Sequence, residues 1–216
     1  MYYWDLAKIF TRRFRAKRYR NFALLFPPEK CKRILDLGGS AELWEMMDYP
    51  AEITLLNINE DWLKLPEAKQ GRKYLPVVGD GRQTSYEDGS FDLAFSNSVI
   101  EHVGSGSDAA AFAREIQRLG KAFYCQTPNK WFPIEPHLGT LFLHWFPPLL
   151  NRYFVLRYFT LWGLMHKPNR EIASIAAKDA RLLTKHELRK LFPGAEILTE
   201  RFLLVFPKSY VAIRRP

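Results

Sequence analysis

The stretch Arg33–Trp44, RILDLGGSAELW, constrains the fold of this chain more than any other feature. An apolar run that carries one carboxylate, Asp36, is followed by two glycines and then by an amphipathic segment. The apolar run is typical of a buried strand, and the glycine pair predicts a turn that passes close to a ligand. We therefore expect a strand, a tight turn and a helix in succession, with a binding site at the turn.

Strands and helices alternate along most of the remaining chain. We predict strands at 33–37, 52–58, 74–78, 91–96, 121–126, 195–203 and 209–213, and helices at 41–47, 108–119 and 184–191. Thr184 and Glu187 have the spacing of a capping box. The alternation predicts an α/β fold with a mostly parallel sheet. A short connection at Phe206–Lys208 favours an antiparallel pair for the last two strands.

Length and composition limit the class of protein. A chain of 216 residues with 47% hydrophobic residues is expected to form one domain with a full core. Its two cysteines, Cys31 and Cys125, lie far apart and lack metal-site spacing, which favours a reducing compartment. Because we find no pattern of a signal peptide, we expect a cytoplasmic protein, with peripheral membrane contact as the open alternative.

The positive charge is concentrated at the N-terminus. Residues 1–20 contain seven Lys or Arg against one Asp, which accounts for +6 of the net charge of +9. Leu6, Phe10 and Phe14 share one helical face. We therefore predict a basic amphipathic helix within residues 1–30 that packs on a domain formed by residues 31–216. The alternative is an arm that binds anionic lipid or another acidic partner.

The first four predicted strands all end in small or polar residues. In parallel sheets, ligands bind beyond the carboxyl ends of the strands. Asn57 lies about 20 positions after Gly38, the distance at which a ribose contact is expected. The dinucleotide fingerprint is absent, because Ser40 and Leu43 occupy its later glycine positions. Since Asp36 would repel a phosphate and favour a cation, S-adenosylmethionine fits this pattern better than NAD.

Several stretches resemble the successive motifs of class I S-adenosylmethionine-dependent methyltransferases, in particular the small-molecule, type 11-like branch. They are ILDLGG, LLNIN, VVGDGRQTSYEDGSFDLAFSNSVIEHV and YCQTPNKWFPIEPH, which fall within residues 31–137. The resemblance implies a Rossmann-like fold with a seven-stranded, mostly parallel sheet, an antiparallel last strand and flanking helices. It also implies S-adenosylmethionine as the cofactor and methylation of a small acceptor, with O-methylation favoured.

Carried over by position, the resemblance implies a set of cofactor-binding residues. They are Asp36, Gly38, Gly39, Ser40, Asn57, Ile58, Asn59, Asp80, Gly81, Arg82, Ser96 and Asn97. Two positions depart from the family pattern: Ser40-Ala41-Glu42 stands where a third glycine is usual, and Asn57 stands where the ribose-binding acid is usual. Losing the charge-assisted bond at Asn57 costs on the order of 1 kcal/mol of affinity. Glu60 and Asp61 are nearby carboxylates that could replace it.

Two histidines are candidate general bases for a hydroxyl acceptor. His102 follows the fourth predicted strand and His137 follows the fifth, and a neutral imidazole is suited to this role near pH 7. The alternative for His102 is that it only braces the loop. We find no cluster with metal-ligand spacing and predict no metal site.

Residues 131–170 form an insert that is rich in aromatic residues. Pro147-Pro148 and the charges at Arg152 and Arg157 exclude one membrane-spanning helix. The insert predicts a lid that forms an apolar acceptor pocket, or a surface that touches a membrane; two short capping helices are the structural alternative. We therefore expect a small, apolar or amphipathic acceptor, which includes lipid-like molecules.

Three rival functions remain open at this stage. An RNA-binding or RNA-modifying methyltransferase would explain the basic charge, but the charge is confined to one segment and no base-flipping motif is present, so we expect no nucleic-acid partner. A catalytically inactive interaction domain with this fold is the second rival. An NAD-dependent reductase is the third, and the missing fingerprint argues against it.

Overall fold

A computed structural model describes residues 18–47, 49–65, 73–135, 140–142, 145, 158, 167, 181–203 and 205–216 of the chain. The elements, in chain order, are β1 Arg33–Leu37, α1 Ala41–Met47, β2 Glu52–Asn57, a 3-10 helix Glu60–Leu63, β3 Lys73–Val78, β4 Phe91–Asn97, α2 Gly106–Leu119, β5 Gly120–Pro128, β6 Ile134–Glu135, β7 Thr140–Leu141, α3 Lys185–Leu191, β8 Glu196–Phe202 and β9 Phe206–Arg214. Residues 18–25 are also helical.

Seven of the strands form one sheet in the order β3-β2-β1-β4-β5-β9-β8. Strand β1 pairs in parallel with both β2 and β4, β2 pairs in parallel with β3, and β8 is antiparallel to β9. The predicted mostly parallel sheet with an antiparallel last strand is confirmed. The central strands are buried on both faces, which explains why β1 and β4 read as continuous apolar runs.

The chain divides into two compact units. The first unit comprises Met1–Ser96, Glu115–Tyr124 and Arg214–Pro216. An aromatic core fills it: Phe22 lies 5.3 Å from Phe95 and 6.0 Å from Trp44 between ring centroids, and Phe95 stacks on Tyr124 at 5.0 Å. Phe22 is 2% exposed and lies within the helical residues 18–25, so this segment contributes to the core of the first unit.

The second unit comprises Asn97–Arg114 and Cys125–Ile213. Helix α3 begins with the predicted capping box, in which the Glu187 backbone N–H donates to the Thr184 hydroxyl and the Thr184 backbone N–H donates to the Glu187 carboxylate. The Asn129 side chain donates to the Pro207 carbonyl at 2.7 Å and Phe132 lies 6.0 Å from Phe202. These contacts fix the end of β5 against the β8–β9 hairpin.

One predicted connection is wrong. The connection predicted at Phe206–Lys208 lies inside β9, which begins at Phe206, and β8 already ends at Phe202. Pro207 is tolerated inside the pair because it lies opposite Arg201, next to the irregularity between Glu200 and Arg201. The other predicted strands and helices are present, with ends that differ by up to three residues.

Some predictions lie outside the described residues. They include the apolar face of Leu6, Phe10 and Phe14 and most of the insert at 131–170. Within the described ranges, no helix combines the length and apolar character needed to cross a bilayer.

Candidate functional site

The turn after β1 is held close to the end of β2. Gly38 has a φ of +81°, a conformation that glycine adopts without strain, and its N–H donates to the Leu56 carbonyl at 2.7 Å. A Cβ added to Gly39 would lie 1.7 Å from the Asp36 carboxylate. The turn therefore packs directly on Asp36 and leaves no room for a side chain at Gly39.

Asp36 is buried beneath this turn. It is 1% exposed, and the indole N–H of Trp44 donates to its Oδ2 at 2.7 Å. Within the described part of the chain, its Oδ1 has no hydrogen-bond partner. Burial raises the pKa of Asp36 to about 7, although the bond from Trp44 acts in the opposite direction. A nearby cation would stabilise the ionised form of this carboxyl group.

Ser96 connects the end of β4 to the same turn. Its hydroxyl donates to the Leu37 carbonyl at 3.1 Å, and the residue is completely buried. Ser96 therefore fixes the backbone immediately before Gly38. Its hydroxyl is committed to this structural bond, so a cofactor contact at this position would come from the backbone.

At the end of β2, the Asn57 side chain bridges two loops. Its amide NH₂ donates to the Gly39 carbonyl at 3.2 Å, and its amide oxygen accepts from the Asn59 N–H at 3.0 Å. Asn59 in turn accepts from the Asp61 N–H and caps the 3-10 helix. The neutral amide thus does what a carboxylate cannot, because it donates to a carbonyl of the glycine turn. Ile58 is 72% exposed.

A cleft of about 560 Å³ adjoins this region of the first unit. Its lining includes Asn59, Glu60 and Asp61 from the loop and 3-10 helix, and Val78 from the end of β3. The two carboxylates that could replace a ribose-binding acid therefore line a cavity that also reaches the end of β3.

The end of β3 carries a fixed ion pair. Arg82 donates to Asp80 through its backbone N–H and through both Nε and Nη2, with Nη2 at 2.6 Å from Oδ2. Both side chains are about one-third exposed, at 36% and 38%. Asp80, Gly81 and Arg82 therefore form one tight turn, and a ligand would contact the Asp80–Arg82 pair as a unit.

The loop after this turn is anchored to α2 by a network that the sequence analysis missed. The Thr84 N–H and hydroxyl both donate to Glu115, and Arg118 donates to Glu115, to the Tyr86 carbonyl and to Asp88. Partial burial of the Glu115 carboxyl would raise its pKa, but the hydrogen bonds from Arg118 and Thr84 outweigh this effect and lower the pKa. Residue spacing gave no signal for this network, because 31 positions separate Thr84 from Glu115.

The loop after β4 belongs to the second unit and is braced by Glu101. The Thr127 hydroxyl donates to Glu101 Oε2 at 2.9 Å, and the Arg181 N–H donates to the Glu101 carbonyl at 2.7 Å. Ser98, at a φ of +58°, donates to the Gln126 side chain at 2.8 Å. Asn97 ends β4, so this predicted residue lies directly before the braced loop.

The structure describes only one of the two predicted general bases. His102 is exposed, and its backbone N–H donates to the Val99 carbonyl at 2.8 Å. His137 lies outside the described residues. Among the residues whose placement is described, no group of three His, Cys, Asp or Glu side chains could hold a metal ion.

The residues of the first unit fit S-adenosylmethionine. Its sulfonium and ammonium groups are cations, and Asp36 is a buried carboxylate with one unpartnered oxygen below a turn that lacks side chains. The ends of β2 and β3 add polar groups of the kind that contact a ribose and an adenine. No residue of the set corresponds to a pyrophosphate site.

Comparisons with known proteins agree with this architecture. A family described as "Methyltransferase domain" matches residues 35–122. A SAM-dependent methyltransferase from Archaeoglobus fulgidus aligns over 100% of both chains, with 16% identity and a TM-score of 0.58. Magnesium protoporphyrin IX methyltransferase from Synechocystis, solved with S-adenosylhomocysteine, aligns over 94% of this chain and 83% of its own, with 14% identity and a TM-score of 0.57.

A curated relative is similar over a short segment. This uncharacterised protein of Mycobacterium tuberculosis is 37% identical over 49 residues, which is 23% of this chain. The match spans only 17% of the relative's length.

Fold and family match together indicate the class: the chain has a Rossmann-like fold of the kind seen in methyltransferases, and residues 35–122 match the methyltransferase domain family. The structures that align with the chain include S-adenosylmethionine-dependent methyltransferases, and the residues of the first unit fit that cofactor.

Proposed function

We propose that this chain transfers the methyl group of S-adenosylmethionine to a small acceptor that is apolar or amphipathic, with oxygen as the favoured acceptor atom. The observation that carries the acceptor class is an exposed aromatic cluster in the second unit, formed by Trp131, Phe142 and Trp145. Their exposed fractions are 58%, 41% and 43%. Phe142 lies 4.8 Å and Trp131 6.3 Å from Trp145, and the Trp145 indole donates to the Lys130 carbonyl.

The cofactor is proposed to bind through the strand ends of the first unit. Gly38, Gly39 and Ser40 let the backbone approach its methionine portion, while Asp36 acts on the ammonium group from beneath the turn. A second group of residues surrounds the nucleoside: Asn57, Ile58, Asn59, Asp80, Gly81 and Arg82. Ser96 and Asn97 complete the proposed set at the end of β4.

S-adenosylmethionine supplies an electrophilic methyl group on a positively charged sulfur. The protein's task is to hold the acceptor in line with that group and to remove a proton from a hydroxyl acceptor. We assign the removal of this proton to His102, which is exposed on a loop that Glu101 and Ser98 hold in place. His137 is the second candidate base.

Domain organisation is part of the proposal. We assign residues 1–30 to a basic helical segment that packs on the domain, which is consistent with the burial of Phe22 and Phe26 in the first unit. Residues 31–216 form the methyltransferase domain, and residues 131–170 form the lid over the acceptor.

The test is a screen for methyl release. The purified chain is incubated with S-adenosylmethionine and panels of phenols, quinones, carboxylates and sugars, and formation of S-adenosylhomocysteine is measured. We expect turnover that depends on an apolar phenol, quinone or carboxylate. Turnover confined to sugars would contradict the acceptor class, and binding of cofactor without turnover on any panel would support an inactive interaction domain.

His102→Ala tests the base. With a hydroxyl acceptor it should lower turnover about 100-fold or more while cofactor affinity stays unchanged. His186→Ala is the matched control, because His186 lies on α3. Equal turnover in the two variants would remove His102 from the reaction.

The rival RNA function has its own measurement. RNA binding is titrated against salt concentration, and a steep decrease in affinity with salt would show multiple phosphate contacts. We expect weak binding that shows no RNA-dependent methyl release.

A further inference from the structure

The turn of the β8–β9 hairpin is apolar and exposed. The sequence through it is FLLVF, at positions 202–206. Leu203 is 65% exposed, Val205 64% and Phe206 52%. We refer to these three residues as the apolar tip. Turns between strands usually carry Gly, Asn, Asp or Pro, so five consecutive apolar residues at this place need an explanation.

The geometry of the hairpin turn does not account for a leucine at position 203. The Val205 N–H donates to the Phe202 carbonyl at 3.2 Å, which closes the turn, and Leu203 has a φ of +49°. Asparagine or glycine adopts this conformation more readily than leucine does. Leu203 therefore contributes less to the turn than a polar residue would, and its side chain is turned toward solvent.

Basic side chains flank the apolar tip. Arg201 is exposed and its guanidinium donates to the Val205 carbonyl at 3.1 Å, while Lys208 lies two residues after Phe206. The neighbouring acid, Glu200, accepts a hydrogen bond from the Ser209 hydroxyl. Apolar side chains at a tip with Lys and Arg behind them match the two layers of a membrane surface, acyl chains below anionic headgroups.

The base of the hairpin is rigid. Asn129 donates to the Pro207 carbonyl at 2.7 Å, its N–H donates to the Lys208 carbonyl at 2.9 Å, and Phe132 packs on Phe202. The apolar tip is therefore held at a fixed place in the second unit.

We propose that the apolar tip inserts into an anionic lipid bilayer, with Arg201 and Lys208 at the headgroups. A second copy of the chain is a poorer occupant, because three side chains on a narrow turn bury far less than the roughly 1,000 Å² of a specific interface. The proposal is independent of the methyl acceptor, since it concerns where the protein docks.

Vesicle sedimentation tests the proposal with the full chain. The wild-type protein is mixed with vesicles of phosphatidylcholine alone and of phosphatidylcholine with phosphatidylglycerol. We expect stronger binding to the mixed vesicles. Leu203→Asn combined with Val205→Asn should weaken the partition into mixed vesicles about 100-fold, since each removes a large apolar side chain worth about tenfold. Arg201→Gln combined with Lys208→Gln should remove much of the preference for anionic vesicles.

Leu75→Thr is the matched control, because Leu75 is an exposed apolar residue on β3 of the first unit and threonine suits a strand. It should bind vesicles as the wild type does. Thermal unfolding checks the fold: Leu203→Asn should melt at the same temperature or higher, since asparagine tolerates the positive φ. The proposal would be overturned if the wild-type protein does not bind vesicles. It would also be overturned if the tip variants bind as well as the wild type, and that result would assign binding to another part of the chain. The proposal would also be overturned if the wild-type protein sediments in the absence of vesicles and the tip variants do not, because that result would show self-association through the apolar tip.

Discussion

The indole of Trp44 donates a hydrogen bond of 2.7 Å to the buried carboxyl group of Asp36, directly beneath the glycine turn that follows β1. This bond joins the first strand to the first helix below the proposed cofactor site. Without it, no described side chain would donate to a carboxyl group that is 1% exposed.

Trp44→Phe should therefore lower the free energy of unfolding by about 1–3 kcal/mol, since it leaves a buried acceptor without its donor. Urea unfolding measures the change. Trp62→Phe is the control, because Trp62 is 59% exposed and should be nearly neutral. Equal effects at the two sites would show that the bond to Asp36 contributes nothing.

The raised pKa of Asp36 predicts a dependence of stability on pH. The unfolded carboxyl ionises near pH 4, whereas the folded one keeps its proton up to about pH 7. The folded state thus binds more protons between these values, so stability falls as pH rises through this range. Between pH 5 and pH 7.5 the free energy of unfolding of the wild-type protein should fall by about 2–3 kcal/mol through this group, and Asp36→Asn should lack this decrease. Urea unfolding at both pH values measures the difference. An identical pH dependence in the variant would exclude Asp36 as its source.

Gly39→Ala tests the close contact between the turn and Asp36. Because the new Cβ would overlap the carboxylate, the turn must shift, and we expect at least tenfold weaker binding of S-adenosylhomocysteine together with a clear loss of stability. Gly89→Ala is the control: no atom lies within 4 Å of its Cβ, and only its φ of +64° opposes the change. Normal affinity in Gly39→Ala would place the cofactor away from this turn.

Asn57 has two separable roles. Asn57→Asp keeps the acceptor for the Asn59 N–H but replaces the donor to Gly39, so stability should fall by about 1 kcal/mol while cofactor affinity is retained or improved. Asn57→Leu should lose both stability and affinity. Calorimetry and urea unfolding measure the two quantities, and equal affinities in all three proteins would move the ribose contact to Glu60 or Asp61.

Arg118→Gln should release the loop that follows Asp80–Arg82. The variant loses the bonds to the Tyr86 carbonyl and to Asp88, so we expect a loss of about 1–2 kcal/mol of stability and a few-fold weaker cofactor binding. Arg189→Gln, on the exposed part of α3, is the control. Unchanged binding in Arg118→Gln would show that the loop does not position the adenine contacts.

The sequence predicts the parts of this fold that depend on local pattern. Strand β1 and helix α1 have the predicted bounds because the apolar run and the glycine pair are unambiguous. Helix α2 begins two residues early, at Gly106, because Ser105 and Asp108 exchange hydrogen bonds and cap it there. The β8–β9 turn was misplaced because 203–205 contain no turn-forming residue.

The candidate site is predictable in position but not in its bonds. The strand ends identify where Asp36, Asn57, Asp80 and Ser96 lie. The partners of Asp36 and Ser96 lie 8 and 59 positions away in the chain, in the bonds from Trp44 to Asp36 and from Ser96 to Leu37. Periodicity and spacing carry no information on such contacts.

The central claim is that the strand ends of the first unit bind S-adenosylmethionine. Isothermal titration calorimetry of the purified chain with S-adenosylmethionine, S-adenosylhomocysteine and NAD tests it most directly. We predict saturable heat with the first two ligands, weaker or no heat with NAD, and loss of the signal in Gly38→Val, which places a branched side chain at a φ of +81°. No heat from either adenosyl ligand at millimolar concentration, from a protein that unfolds cooperatively, would contradict the account.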